Sequence, residues 1–286
     1  MSVISVLMGI YNENNRNHVA YAIDSILNQT FRDFEFIICD DGSEMGFYQW
    51  LKKYCRKDSR ILLLRNEQNR GLAATLNYCL RHAGGSYIAR MDADDFSEKE
   101  RFARQIAFLE SHPEYAMVGC SVRMIGRKGV WGIRQMEEMP KKESFLNTSP
   151  FVHPAVMIRR DVMKALGSYS EKKWALRAED YELFMRFYAS GYKGYNIQEI
   201  LLNYREEKDS YKKRKYRYRI HECIVRYRGF RTLGLLKGNY RYVIKPLMVG
   251  LIPSVMMERI RRQRYGMKSG GKSGYYDKSV SRCSRL

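Results

Sequence analysis

Residues 87–96 read Tyr87-Ile88-Ala89-Arg90-Met91-Asp92-Ala93-Asp94-Asp95-Phe96, a short apolar run of strand composition that ends in three carboxylates within four positions. A buried strand of this kind stops at a sheet edge, and in open α/β sheets that edge is where ligands bind. Three negative charges this close repel one another unless a cation lies among them. A divalent ion that also grips phosphate oxygens meets the need, because Mg2+ and Mn2+ favour one or two carboxylates together with substrate phosphates. The competing reading is a solvated acidic turn that caps a helix starting near Ser97.

The flanking sequence repeats one plan. Val3–Met8 is a continuous apolar strand, followed by a turn at Gly9–Glu13 and by Val19, Ile23, Ile26 and Leu27 at helical spacing. Phe34–Cys39 is a second strand that runs straight into Asp40-Asp41-Gly42-Ser43, and a helix extends from there to about Arg56. Ile61–Leu64 is a third strand, and Asn69-Arg70-Gly71 opens a helix that continues through Leu80. Alternating strands and helices with short connections predict an α/β fold, Rossmann-like, with a mostly parallel sheet flanked by helices. In such a fold the strand ends share one crevice, so Asp40/Asp41 and Asp92/Asp94/Asp95 are expected to converge. No Gly-x-Gly-x-x-Gly follows the first strand, which removes the standard dinucleotide site.

Beyond the acids, Phe102, Ile106 and Leu109 mark a helix stopped by His112-Pro113, and Met117–Val122 is another strand. Residues 126–149 read as a loop-rich excursion, and Phe151–Ile158 as a return to strand. Glu179-Asp180-Tyr181 opens a helix, where the acids have the simpler reading of serving its dipole.

The charge is unevenly placed. The chain of 286 residues has a formal net charge of +20, with 28 Lys/Arg against 25 Asp/Glu in residues 1–204 and 23 against 6 in residues 205–286. An acid-balanced domain thus precedes a basic end, which calls for an anionic partner. Residues 246–257 are apolar but too few to span a bilayer, and Arg259, Arg261, Arg262 and Arg264 follow. Apolar residues beside an arginine cluster suit a segment lying in the surface of an anionic membrane. Lys/Arg with tyrosine is also a nucleic-acid footprint, but no nucleic-acid fold motif accompanies it, so nucleic acid is not an expected partner. The division expected is a catalytic domain at 1–210, a basic amphipathic helical region at 211–265 that meets an anionic membrane surface, and a disordered tail at 266–286. Six scattered cysteines without pairing rhythm read as reduced thiols in a cytoplasmic protein. Val3–Tyr11 lacks the basic start and cleavage site of a signal peptide. Gly266–Ser273 matches the pattern Gly-x4-Gly-Lys-Ser, but no buried strand precedes it, and the phosphate-loop reading is rejected.

Taken together, Ser5–Asn12, Asp40-Asp41-Gly42-Ser43, Asn69-Arg70-Gly71, Met91–Asp95, His153-Pro154 and Glu179-Asp180 resemble, in order, the inverting family 2 glycosyltransferases of the GT-A fold, most nearly those of bacterial exopolysaccharide and capsule synthesis. The resemblance covers about residues 1–210. It implies a nucleotide-sugar donor, a UDP-sugar, and a lipid-linked or saccharide acceptor. Tyr11 would stack on the base, Asp41 would accept from it, and Arg70 would also contact the nucleotide. Asp92 and Asp94 would serve the Mg2+ or Mn2+ on the diphosphate, with Asp95 and Glu179 in support. His153 would lie near the diphosphate, and Asp180 would be the general base. The Gln-x-x-Arg-Trp motif of processive synthases is absent, which favours single-residue addition. Gly9 stands where many relatives have proline, and Tyr204-Arg205 with Ser210 resembles a family segment near the active-site lid. Membrane association would then be peripheral, on the inner face. Two other readings stay open: a sugar nucleotidyltransferase, although Gly9–Asn14 is not its Gly-rich basic loop, and a transferase-derived scaffold with a binding role.

Overall fold

The computed structural model describes residues 2–13, 15–206 and 216–266. Four strands, β1 (Ile4–Ile10), β2 (Phe34–Asp40), β3 (Ile61–Arg65) and β4 (Tyr87–Arg90), form a parallel half-sheet in the order β3-β2-β1-β4. The helices between them are α1 (Arg16–Leu27), α2 (Met45–Cys55) and α3 (Leu72–His82). The period of two along each strand divides its side chains between two cores. Ile4, Val6, Met8 and Ile10 of β1 join Phe34, Phe36 and Ile38 of β2 against α1 and α2. Leu7, Ile37 and Cys39 face the other way, onto Leu76 and Cys79 of α3. A strand buried on both faces has no polar alternation, which is why these runs are continuously apolar.

The second half of the sheet is mixed. After β5 (Phe96–Ser97) and α4 (Arg101–Ser111) come β6 (Met117–Gly126) and its hairpin partner β7 (Gly129–Arg134), then β8 (Met157–Arg159), α5 (Arg160–Ala165), α6 (Glu179–Ala189) and β9 (Gly194–Arg205). β8 lies antiparallel to β4, β6 antiparallel to β8, β9 parallel to β6, and β5 antiparallel to β9. Three expectations are corrected. The excursion at 126–149 contains β7 and a 3-10 helix at Lys142–Leu146, because Val130 and Ile133 pair across a tight turn onto β6. Only Met157–Arg159 of the segment 151–158 is strand, since Pro154 sits in a 3-10 turn at His153–Ala155. Ser97 lies in β5, and the following helix starts at Arg101.

Three helices close the described chain: α7 (Arg217–Thr232), α8 (Tyr240–Gly250) and α9 (Ser254–Tyr265). Val225 and Phe230 of α7 and Val243 of α8 extend the core that α6 forms with α3. α9 lies along β7, with the Arg262 guanidinium 5.4 Å from the Trp131 ring and Arg261 Nη1 2.8 Å from Glu206 Oε1. No helix among the described residues is long and apolar enough to cross a membrane. Cys39, Cys55, Cys79, Cys120 and Cys223 are free thiols. Residues 207–215, Cys283 and the Gly-Lys-Ser stretch of the tail lie outside the described residues.

Candidate active site

The parallel half-sheet sets the ends of β1, β2 and β4 side by side, so the predicted motifs open onto one edge. Tyr11 follows β1 and is half exposed. Asn12 has a left-handed φ of 41° and is tied to the β2 loop: its N–H donates to Ser43 Oγ (2.9 Å), and its Oδ1 accepts from Glu44 N (2.9 Å). Asp41 is buried. Its Oδ1 accepts from Asn66 Nδ2 (2.8 Å) and Arg70 N (2.9 Å), and its Oδ2 from Gly71 N (2.9 Å). The carboxylate therefore fastens the 66–71 loop, and Oδ2 keeps a lone pair for an outside donor. Gly42 is required here: φ is +77°, and a Cβ would come within 2.6 Å of the Gln68 backbone. The Arg70 side chain is exposed. Asp40, the other acid of the pair, is withdrawn into the protein, 3.3 Å from Arg65 Nε.

The acidic turn joins β4 to β5, and its carboxylates occupy different environments. Burial, reinforced by Asp92 and by Glu13 from the β1 turn, pushes Asp94 up to about 7. Asp95 is buried, and burial together with Asp94 and Asp92 holds it well above the carboxylate range. Its Oδ1 accepts from Arg205 N (2.7 Å), its Oδ2 has no partner, and Arg205 Nε donates to the Asp94 carbonyl (2.9 Å). Asp92 is part exposed and accepts from Arg90 Nη2 at 2.6 Å.

The opposite wall is the start of α6. Arg177 adopts φ 69°, a costly conformation for a residue other than glycine, just before the helix turns Glu179 and Asp180 inward. Asp180 Oδ1 accepts from Tyr181 N (2.8 Å). Burial raises its pKa, Tyr181 N–H and Arg90 oppose the rise, and Asp92 adds to it. Asp180 thus lies within the field of the acidic turn, although 88 positions separate it from Asp92 in the chain. His153 is buried with its Nε2 2.8 Å from Tyr169 Oη. Burial and then the charge of Arg90 drive the ring well below its usual range, so it is neutral.

Glu179 is buried, its Oε2 lacks a partner, and burial followed by Asp180 pushes it up to about 7. A folded-state pKa above the usual value means that the folded protein binds the proton more tightly than the unfolded chain. Between about pH 4.5 and 7 this group therefore costs increasing stability as pH rises, and the full cost is present above pH 7. Glu179→Gln is expected to stabilise the protein by roughly 1–3 kcal/mol at pH 8 and to make no difference at pH 4. Melting temperatures at the two pH values check this.

Among the described residues, no three His, Cys, Asp or Glu side chains form a preformed chelate. The donor set still suits a hard cation that completes its shell with phosphate: oxygen ligands only, a desolvated Asp94 crowded by Asp92 and Glu13, and a partnerless buried oxygen on Asp95. Glu13, Arg90 and Tyr169 belong to this site and were not picked out from the sequence, whereas Arg205 lies in the Tyr204-Arg205 segment that the family resemblance placed near the active site. Arg90 left a signal, a charge closing an apolar strand two positions before Asp92. Tyr169 left none, because the loop after α5 brings it in from far along the chain.

The glycosyl transferase family 2 model matches residues 5–167, a span that holds β1 through α5 and the whole acidic turn. The chain belongs to glycosyl transferase family 2. This family 2 transferase is 39% identical over 262 residues to EpsE of Bacillus subtilis (strain 168), a provisionally named glycosyltransferase, with 91% of this chain and 94% of that one covered. It is 29% identical over 260 residues to an Escherichia coli UDP-Gal:alpha-D-GlcNAc-diphosphoundecaprenol beta-1,3-galactosyltransferase, covering 87% and 92% of the two chains. The mannosyltransferase PcManGT of Pyrobaculum calidifontis, solved with GDP-Man and Mn2+, superposes with a TM-score of 0.61 at 15% identity, covering 92% of this chain and 80% of that one. The family 2 transferase thus has the GT-A fold, and its relatives include transferases of polysaccharide and O-antigen synthesis.

Proposed function

We propose that this family 2 enzyme moves one sugar from a nucleoside diphosphate donor, a UDP-sugar, to a lipid-linked or saccharide acceptor, with inversion and without processive polymerisation. The observation that carries the reading is that Asp92 acts electrostatically on both Asp94 and Asp180, so the acidic turn and the start of α6 share one neighbourhood. Tyr11, exposed beside the loop that Asp41 fastens, offers a face to the base, and Oδ2 of Asp41 offers an acceptor to its N–H. Arg70 reaches the nucleotide from the same loop. Asp94, with Asp92, holds Mg2+ or Mn2+, which when bound stabilises charge on the departing diphosphate. Asp95 and Glu179 support the two walls, and neutral His153 borders the diphosphate. Asp180 takes the proton of the acceptor hydroxyl. One base and one in-line displacement turn an α-linked donor into a β-linked product. A donor-hydrolysis screen over UDP-, GDP- and TDP-sugars with Mn2+ or Mg2+, with and without membrane extract, tests this. Release of UDP alone is the expected result, and turnover indifferent to EDTA would reject the metal.

We further infer that the enzyme sits on the inner face of an anionic membrane through its basic helices, the part of 211–265 that lies within the described residues. Ile220, Ile224 and Tyr227 are exposed at helical spacing on α7, as are Tyr240, Ile244, Met248, Leu251 and Val255 along α8 and into α9. The Tyr216 ring approaches Gly250, so the start of α7 lies beside the end of α8. Exposed Arg217, Arg228, Arg241, Arg259, Arg262 and Arg264 flank them. Apolar insertion beside cationic residues is the pattern of an interfacial helix. Replacing Met248, Leu251 and Val255 together by Asp is expected to weaken flotation with phosphatidylglycerol vesicles roughly tenfold or more. Equal flotation of the variant and the parent would reject the assignment.

A further inference from the structure

Arg90 is unusual for its position. It closes β4 with its backbone paired to Leu7 of β1 and its N–H donating to the Val156 carbonyl just before β8, and its side chain is only 2% exposed. A guanidinium offers five N–H donors. Nη2 donates to Asp92, whereas Nε and Nη1 are buried without an acceptor. Such a group is costly to bury unless its surroundings are strongly anionic. Asp92 supplies such a charge in direct contact at 2.6 Å, and the guanidinium also acts on Asp95, Asp180 and His153. The carbonyl of Arg90 is itself anchored by Arg101 Nη2 (2.8 Å), a fully buried arginine, which fixes where the guanidinium begins.

We propose that Arg90 is a positioning residue: its guanidinium is the resident cation of the acid cluster, holding Asp92 toward the protein and keeping the donor and acceptor walls charge-balanced before a metal or donor arrives. Asp92 then faces two cations in turn, Arg90 in the free enzyme and the divalent ion when the donor is bound. In the free state Asp92 thus has a positive partner beneath it. The metal arm of the test below rests on the donor reading given above, and the melting arm does not.

Without metal, in EDTA, a melting cycle over Arg90→Gln, Asp92→Ala and the double variant measures the coupling. Each single change is expected to lower the melting temperature, and the double variant to lose less than the sum, with a coupling of about tenfold in the unfolding constant. Additive losses would overturn the proposal. Should Arg90→Gln fail to fold, Asp92→Ala decides alone. It relieves repulsion within the acid cluster, so an unchanged or raised melting temperature counts against a guanidinium that depends on it. In a Mn2+ titration followed by electron paramagnetic resonance, Arg90→Gln is expected to bind the ion about tenfold more tightly, its competitor being gone, while Arg90→Lys stays near the parent. Weaker Mn2+ binding in Arg90→Gln marks a purely structural arginine. A parent that binds no Mn2+ counts against the metal reading and leaves the melting cycle to decide.

Discussion

Asp180→Asn is expected to lower kcat for sugar transfer by about 10²–10⁴-fold while leaving donor KM nearly unchanged. The side chain is positioned by Tyr181 N–H on Oδ1 at the first turn of α6, a bond that an asparagine Oδ1 accepts equally well. The substitution therefore removes the proton acceptor without removing the geometry. Carboxylates in a helix's first turn are commonly there for the dipole alone. That simpler role predicts a small loss of stability and normal turnover. Steady-state transfer, with UDP binding measured in parallel, separates the two: a variant that retains a tenth of the parental kcat would remove Asp180 from the mechanism.

Asp94→Asn is expected to cut metal-dependent turnover by about 10²–10³-fold, because it weakens the hold on the ion that carries the leaving diphosphate. In the metal-free protein the same change works the other way. Burial and two neighbouring acids press Asp94 up to about 7, so at pH 7.5 its charge is a liability that asparagine removes. The metal-free variant should melt a few degrees above the parent at pH 7.5, with the gap closing toward pH 4, where both side chains are neutral. Added Mn2+ should raise the parent's melting temperature and leave the variant's almost unmoved. Lower stability without metal combined with normal turnover would contradict both halves of the assignment.

The parallel half of the fold was legible because each strand there is buried on two faces and each connection is a short helix. Ile4–Ile10 and Phe34–Asp40 carry that pattern without interruption. β9 escaped notice for the opposite reason. Its sequence mixes Gln198, Glu199 and Asn203 with apolar residues, since part of it is exposed and its pairing with β6 shifts register twice in succession, at Cys120/Ser121 and Ser121/Val122. β7 hides within a polar segment because one of its faces is solvated. Among the site residues, the acids could be read from their placement after strands. Asp41 is more engaged than its motif suggests, being the fastener of a loop as well as an available acceptor. Arg90 shows in the sequence only as a charge closing an apolar strand, and its burial, with Nε and Nη1 lacking acceptors, is what sets it apart.

The acidic turn hangs between β4, which pairs with β1 and β8, and β5, which pairs with β9. Arg205, at the far end of β9, grips Asp94 and Asp95 at the same place. During synthesis, a nascent chain that has emerged only through α6 already carries every proposed ligand and the proposed base, yet lacks the strand that fixes them. Docking of residues 194–205 is therefore expected to be what fixes the acidic turn in place.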